Sequence, residues 1–294
     1  MRFCLLLLAA CSTAHGDLPH NKKPPIAAAP VAAPDAKYAD HIAALRERLA
    51  AKQLHATIRV EEPFVVVGDG SDEALAHDAR TVRWAADHLE ADFFATRPTK
   101  ILDIYLFHDA ASYERGVVAL TGEAPTTPYG FYSKANGGLF MNIATGGGTL
   151  VHEIVHPYVE ADFPNAPPWL NEGLGSLFEQ SAEKDGHIIG LTNWRLAGLQ
   201  QAIDRGDVMS FQALTHLDTD AFYGDEKGVN YAESRYLLYY LQQHDLLHAF
   251  YRSFRATRAK DPSGYGALVA TLGERDMNDF TSRWTAYVKQ LVFP

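Results

Sequence analysis

Residues 149–179, TLVHEIVHPYVEADFPNAPPWLNEGLGSLFE, hold the groups best suited to chemistry in this chain. His152 and His156 stand four residues apart, with Glu153 directly after the first. On a helix, positions i and i+4 differ by about 40° around the axis and lie one turn apart. Two imidazoles so placed share a face and can grip one ion. Glu153, one step round from His152, then sits beside that ion, where a carboxylate can act as a base on water. So few fixed positions also arise by chance, and an ordinary helix carrying two unrelated histidines is the competing reading. A second acid, Glu172 in PPWLNEG, bears on the choice. Catalytic zinc sites commonly take three protein ligands and leave a fourth position to water. A glutamate on the next helix can be the third ligand, and Glu172 is placed for it. The plain alternative is an acid favoured near a helix start by the positive end of the dipole.

The elements that must position these groups are legible in outline. The run GGGT gives a flexible start to the first helix, with Thr149 as candidate N-cap. Pro157 directly follows His156. A proline there removes the hydrogen bond to the carbonyl of Glu153 and disfavours helical geometry at His156, so the helix is expected to kink or end at its second histidine. Pro164, Pro167 and Pro168 make the link to the next helix stiff and turn-rich. Helical periods dominate from there on, at 149–160, 169–181, 193–205, 229–245, 246–258 and 276–291.

The part before residue 149 is mixed. YADHIAALRERLAA and DEALAHDARTVRWAADHLEADFF carry helical spacing, TIRVEEPFVVVGD is β-rich, and ILDIYLF reads as a buried strand. GFYSKANGGLFMNI reads as two strands joined at Asn136-Gly137, a common hairpin dipeptide. The expectation is an α+β fold: a small N-terminal sheet subdomain with helices, then a mainly helical C-terminal subdomain, with the zinc site between them. A second histidine pair, His244 and His248 in HDLLH, has the same spacing. It lacks the motif glutamate and a matching downstream acid, and is expected near a helix junction with no metal.

HExxH followed by WLNEGL resembles the gluzincin metallopeptidases, the thermolysin and aminopeptidase-N superfamily, and is most similar to bacterial peptidase MA-like families with a P-x-W-L-x-E-G helix. The resemblance covers roughly residues 129–245 and implies zinc (Zn2+) on His152, His156 and Glu172, with Glu153 as general base. The interval from His156 to Glu172 is shorter than in thermolysin. In aminopeptidase-N-like enzymes a tyrosine opening a helix donates to the oxyanion, in a pattern like Y-x-K-G. VNYAESRYLLYYL has that shape with Tyr231, though Glu233 and Ser234 replace the lysine and glycine. The strand that carries G-x-M-E-N in aminopeptidases corresponds to Gly137–Ile143, which has Met141 and Asn142 but no acid to bind a free amine. That strand could still pair with an extended substrate as an exposed edge. The implied activity is a zinc-dependent endopeptidase acting on peptide or protein. Two alternatives stand beside it: a non-catalytic binding module on a metallopeptidase fold, and a zinc hydrolase of a non-peptide amide or ester.

Composition limits the rest. The chain has 294 residues, 47% of them hydrophobic, enough for a sizeable core. A net charge of −10 argues against nucleic acid as a partner. MRFCLLLLAACSTAHG follows a secretory pattern, too short in its apolar run to span a bilayer. LAAC resembles the bacterial lipobox, which implies residues 1–11 as signal peptide and a membrane anchor through lipid on Cys11. Residues 12–37 are rich in Pro and Ala and read as a linker, leaving 38–294 as the metallopeptidase-like domain. The expected location is the bacterial envelope, or alternatively the exterior after simple secretion.

Overall fold

Strand β2 (Phe64–Gly68) buries all five of its residues, because helices cover both faces of its sheet. The computed structural model describes residues 36–224 and 227–293. Its main sheet also contains β1 (Thr57–Glu61), β3 (Leu102–Phe107), β4 (Gly130–Ser133) and β5 (Gly138–Asn142), in the order β1-β2-β3-β5-β4. The pairs β2–β3 and β3–β5 are parallel, and the two outer pairs are antiparallel. On one face α1 (Ala36–Ala51) and α3 (Ala110–Thr121) cover Val65, Val67, Tyr105, Phe107 and Phe140. The alternate side chains, including Val66, Ile104, Leu106, Leu139 and Met141, join the larger core with α2 (Asp72–His88) and α4 (Gly147–Asp162).

The expected hairpin forms, with Gly137 at φ +65°, but it folds β4 to the outside. Strand β5, expected to be an exposed edge, is paired on both sides; the free edge belongs to β4. Asn142 N–H donates to the carbonyl of Tyr129, which fixes the alternation along this ladder. Phe131 and Ser133 therefore bond to β5, while the backbone groups of Gly130 and Tyr132 turn outward.

The remainder is mainly helical, as expected: α5 (Pro168–Phe178), α6 (Arg195–Arg205), α7 (Phe211–Thr215), α8 (Thr219–Phe222), α9 (Lys227–Gln243), α10 (Leu247–Thr257), α11 (Tyr265–Leu272) and α12 (Met277–Gln290). The fold is thus α+β, and the described residues form one compact unit. A second hairpin, β6 (Ser181–Lys184) with β7 (His187–Gly190), lies inside a stretch where helical periods were expected to dominate. Its turn is Asp185-Gly186, with φ +54° and +84°, so the dipeptide was a usable signal. Among the described residues no helix is long and apolar enough to cross a membrane. The expected signal segment, Cys11 and most of the expected linker (12–35) fall outside the described residues.

Candidate metal centre

Helix α4 is the floor of the site. It begins after Gly146, at φ +108°, so Thr149 lies inside the first turns and is not the N-cap. It also runs through Pro157 to Asp162, without the expected end at His156. Every residue from Leu150 to Val159 is buried against the sheet, α2 and α5. That packing outweighs a proline cost of about 3 kcal/mol. Helix α5 starts with Pro168 at its first turn, where a missing N–H costs nothing. It brings Glu172 over the two histidines.

Close approach of the helices depends on two glycines. A Cβ on Gly173 would stand 2.9 Å from Leu238 Cδ1 and 3.2 Å from Ser234 Cβ, so glycine lets α9 lie tightly on α5. A Cβ on Gly175 would stand 3.0 Å from His152 Nε2, so glycine leaves room for the imidazole.

Glu172 Oε2 lies 3.2 Å from His152 Nε2 and 3.8 Å from His156 Nε2. Metal–ligand bonds of ~2.0–2.1 Å would put the ligand atoms of a tetrahedral site about 3.3–3.4 Å apart. The two Glu172 distances bracket that spacing, and two imidazoles with a carboxylate form a donor set that suits zinc. His152, Glu153 and His156 also have ligand atoms within 4.8 Å of one another, which makes Glu153 a rival for third place. Glu172 fits better, because one of its oxygens meets both imidazoles, whereas Glu153 Oε2 pairs with His156 at 3.8 Å. His156 Nδ1 lies 3.0 Å from Asn171 Oδ1, which holds the ring with Nε2 turned to the site. The Tyr223 hydroxyl donates to Glu172 Oε1 at 2.5 Å.

All four side chains are buried, with opposite consequences for the two acids. Burial pushes the Glu153 carboxyl up; the charge of His156 opposes this and that of Glu172 adds to it, leaving it at about 7. Burial also works against the Glu172 carboxylate, but the charges of His156 and His152 and hydrogen bonds from His152 and Tyr223 hold it at about 2. The same burial thus raises one acid, while the donors around the other keep it an anion.

Tyr231, expected from the helix-opening pattern, does reach the site. Its ring lies parallel to that of His152, 6.3 Å between centroids, and its hydroxyl sits against Glu172 and Tyr223. Glu233, which replaces the lysine of the resembling pattern, is buried and accepts from Met209 N–H at 3.0 Å, fastening α9 to the segment before α7. Tyr236 is a core residue bonded to Asn193, and Tyr240 packs on Phe280 and Tyr287, both consistent with packing roles. Asn171 and Tyr223 were not anticipated. Asn171 stood inside the quoted motif; Tyr223 follows a four-residue helix and carried no periodic signal. Glu179, a conceivable substitute ligand, is engaged elsewhere, accepting from Trp194 Nε1 and Arg195 Nε at 3.1 Å each.

These groups line one cleft of about 1310 Å³, bounded by edge strand β4 and by residues from α4, α5 and the start of α6. The peptide N–H of Tyr132, turned out from β4, reaches the Glu153 carboxylate. Comparison with models of known protein families gives no match, and comparison with curated proteins gives none.

Proposed function

We propose that this chain is a zinc-dependent peptidase that cuts within peptide or protein chains. The observation that carries the reading is the convergence of His152, His156 and Glu172 beside the buried carboxyl of Glu153, in a cleft flanked by edge strand β4. Zinc held by these three side chains would supply a Lewis acid for the scissile carbonyl and lower the pKa of a water. An extended substrate adds to β4 through the outward backbone groups of Gly130 and the outward carbonyl of Tyr132, the N–H of Tyr132 being held by Glu153. Glu153, beside the two histidines, takes the proton of the attacking water and passes it to the leaving nitrogen. In this reading the hydroxyls of Tyr231 and Tyr223 turn from Glu172 to donate to the charge that develops on the carbonyl oxygen. Asn171 keeps His156 in one tautomer and orientation throughout.

Internal cleavage is favoured over removal of N-terminal residues by the pairing of the cleft's other acids. Glu160 is held by Tyr132 and Lys134, and Glu179 by Trp194 and Arg195. Among the described residues lining the cleft, no carboxylate is left for a free ammonium. Action in the bacterial envelope through a lipid on Cys11, or after secretion, belongs to the same proposal, as does the absence of nucleic acid among the partners.

The test is incubation of the purified protein with a mixed peptide library, with and without a chelator, read by mass spectrometry. Chelator-sensitive internal cuts are expected. Absence of any cut with zinc bound would sink the peptidase reading and leave the two alternatives, a binding module or a hydrolase of other amides and esters.

A further inference from the structure

We infer that Arg195 forms a carboxylate-recognising subsite on the leaving-group side of the cleft, an inference that rests on the peptidase reading. Arg195 opens α6 and its side chain is largely buried, 16% exposed, although it lines the cleft. Its position is fixed from three sides. Nε donates to Glu179 Oε2 at 3.1 Å, the guanidinium lies over the Trp194 ring at 4.3 Å, and it lies over the Tyr231 ring at 5.2 Å. Glu179 spends its other oxygen on Trp194 Nε1. So both acceptor oxygens at this end are taken. The two terminal nitrogens of Arg195 have no hydrogen-bond partner among the described residues. The unused capacity here is a planar pair of donors, the geometry that matches a carboxylate in two parallel hydrogen bonds. Exposed Trp194, at 56%, offers an apolar face beside it.

The side of the scissile bond follows from the strand edge. The end of β4 lies by Glu160, late in α4, through Tyr132 and Lys134. The start of β4 lies by Asn142, whose carbonyl accepts from Thr145, just before α4 begins. At that same early end of α4, Gly148 faces the carbonyl of Glu179. Arg195 is therefore at the end of the cleft where β4 starts. A substrate paired antiparallel to β4, the more stable sense, enters with its N-terminal part over Ser133 and leaves with its C-terminal part towards Arg195. The carboxylate that Arg195 takes lies on the fragment released as the amine. Two sources share this chemistry: an acidic side chain shortly after the cut, or the terminal carboxylate of the substrate.

Two matched peptide sets separate the sources and test the inference. One set varies the C-terminus, free acid against amide, and the other varies a residue after the cut, Glu against Gln. With the zinc-loaded full chain, kcat/KM should fall roughly 10–100-fold when the preferred carboxylate is neutralised, the share of one charge-assisted pair. In Arg195→Gln that preference should vanish, and Arg195→Lys should restore part of it. Loss on C-terminal amidation assigns the chain end; loss on Glu-to-Gln exchange assigns the side chain. Equal rates across both sets in the wild type overturn the subsite. Binding of the same peptides to Glu153→Gln, followed by the Trp194 emission that Trp194→Phe removes, reads the subsite without turnover. A carboxylate preference there, with no cleavage by the wild type, would retain the subsite and reject the peptidase reading.

Discussion

His152 and His156 lie on one unbroken helix, whereas His244 and His248, at the same spacing, fall on either side of a break. Helix α9 ends at Gln243, Asp245 takes φ +58°, and α10 starts at Leu247. The two rings of the second pair consequently face different neighbours. His244 lies on Tyr240, 4.2 Å between centroids, and His248 faces Phe93 and the Asp92 carboxylate. The first pair shares a buried acid from α5; among the described residues the second shares no acid. Spacing makes a metal site only when the backbone between the ligands stays helical and another element supplies the remaining donor. The expected helix junction at the second pair is observed.

The contrast can be broken most directly at Glu153. Glu153→Gln should retain zinc and fold yet lose roughly 10²–10⁴ in turnover, the usual share of a general base. His248→Ala should leave both metal content and turnover unchanged. Normal turnover in the first variant, or lost zinc in the second, would reverse the assignment of the two pairs.

Next in size is the proposed oxyanion donor. Tyr231→Phe should keep metal and structure and lower kcat by about 10²–10³, with KM nearly unmoved. Tyr240→Phe, which alters the second pair's surroundings, should be almost silent in kcat. If Tyr231→Phe is equally silent and Tyr223→Phe is not, Tyr223 is the donor.

A smaller effect should follow from the group that orients a ligand. Asn171→Ala removes the partner of His156 Nδ1 and should weaken zinc affinity by about 10–100-fold, measured by competition with a chelator of known affinity. Unchanged affinity would mean that packing alone sets the imidazole.

The smallest effect belongs to the second pair's side of the molecule. Asp92 accepts from His187 Nδ1 at 2.5 Å and holds that imidazole above its ordinary value, through the hydrogen bond first and its charge second. A raised histidine pKa stabilises the fold fully below the unfolded value of about 6.5, and the gain is lost as pH rises through the folded value. Melting of His187→Gln should therefore fall slightly below wild type in mildly acid solution, with the gap closing as pH rises. A gap that widens with pH would show that the ring is not protonated in the folded protein.

The HExxH spacing, the acid in WLNEG and the tyrosine before YLLYYL were legible in one dimension because helical periodicity is local: i and i+4 share a face wherever the helix forms. For the same reason the α+β division and the Asn136-Gly137 hairpin could be read directly. Three things were decided only by the tertiary structure. Pro157 weakens a helix locally, and burial of the whole segment between sheet and helices keeps it intact. The hairpin was readable, but which of its strands became the free edge depended on β5 pairing with β3, far away in sequence. Tyr223 follows a short helix with no periodic mark, and Arg195 opens a helix that was legible but whose place in the cleft was not; only the hydrogen bond to Glu172 and the grip of Glu179 place them. Local sequence determines which side chains share a face; what faces them is set by contacts between elements distant in the chain.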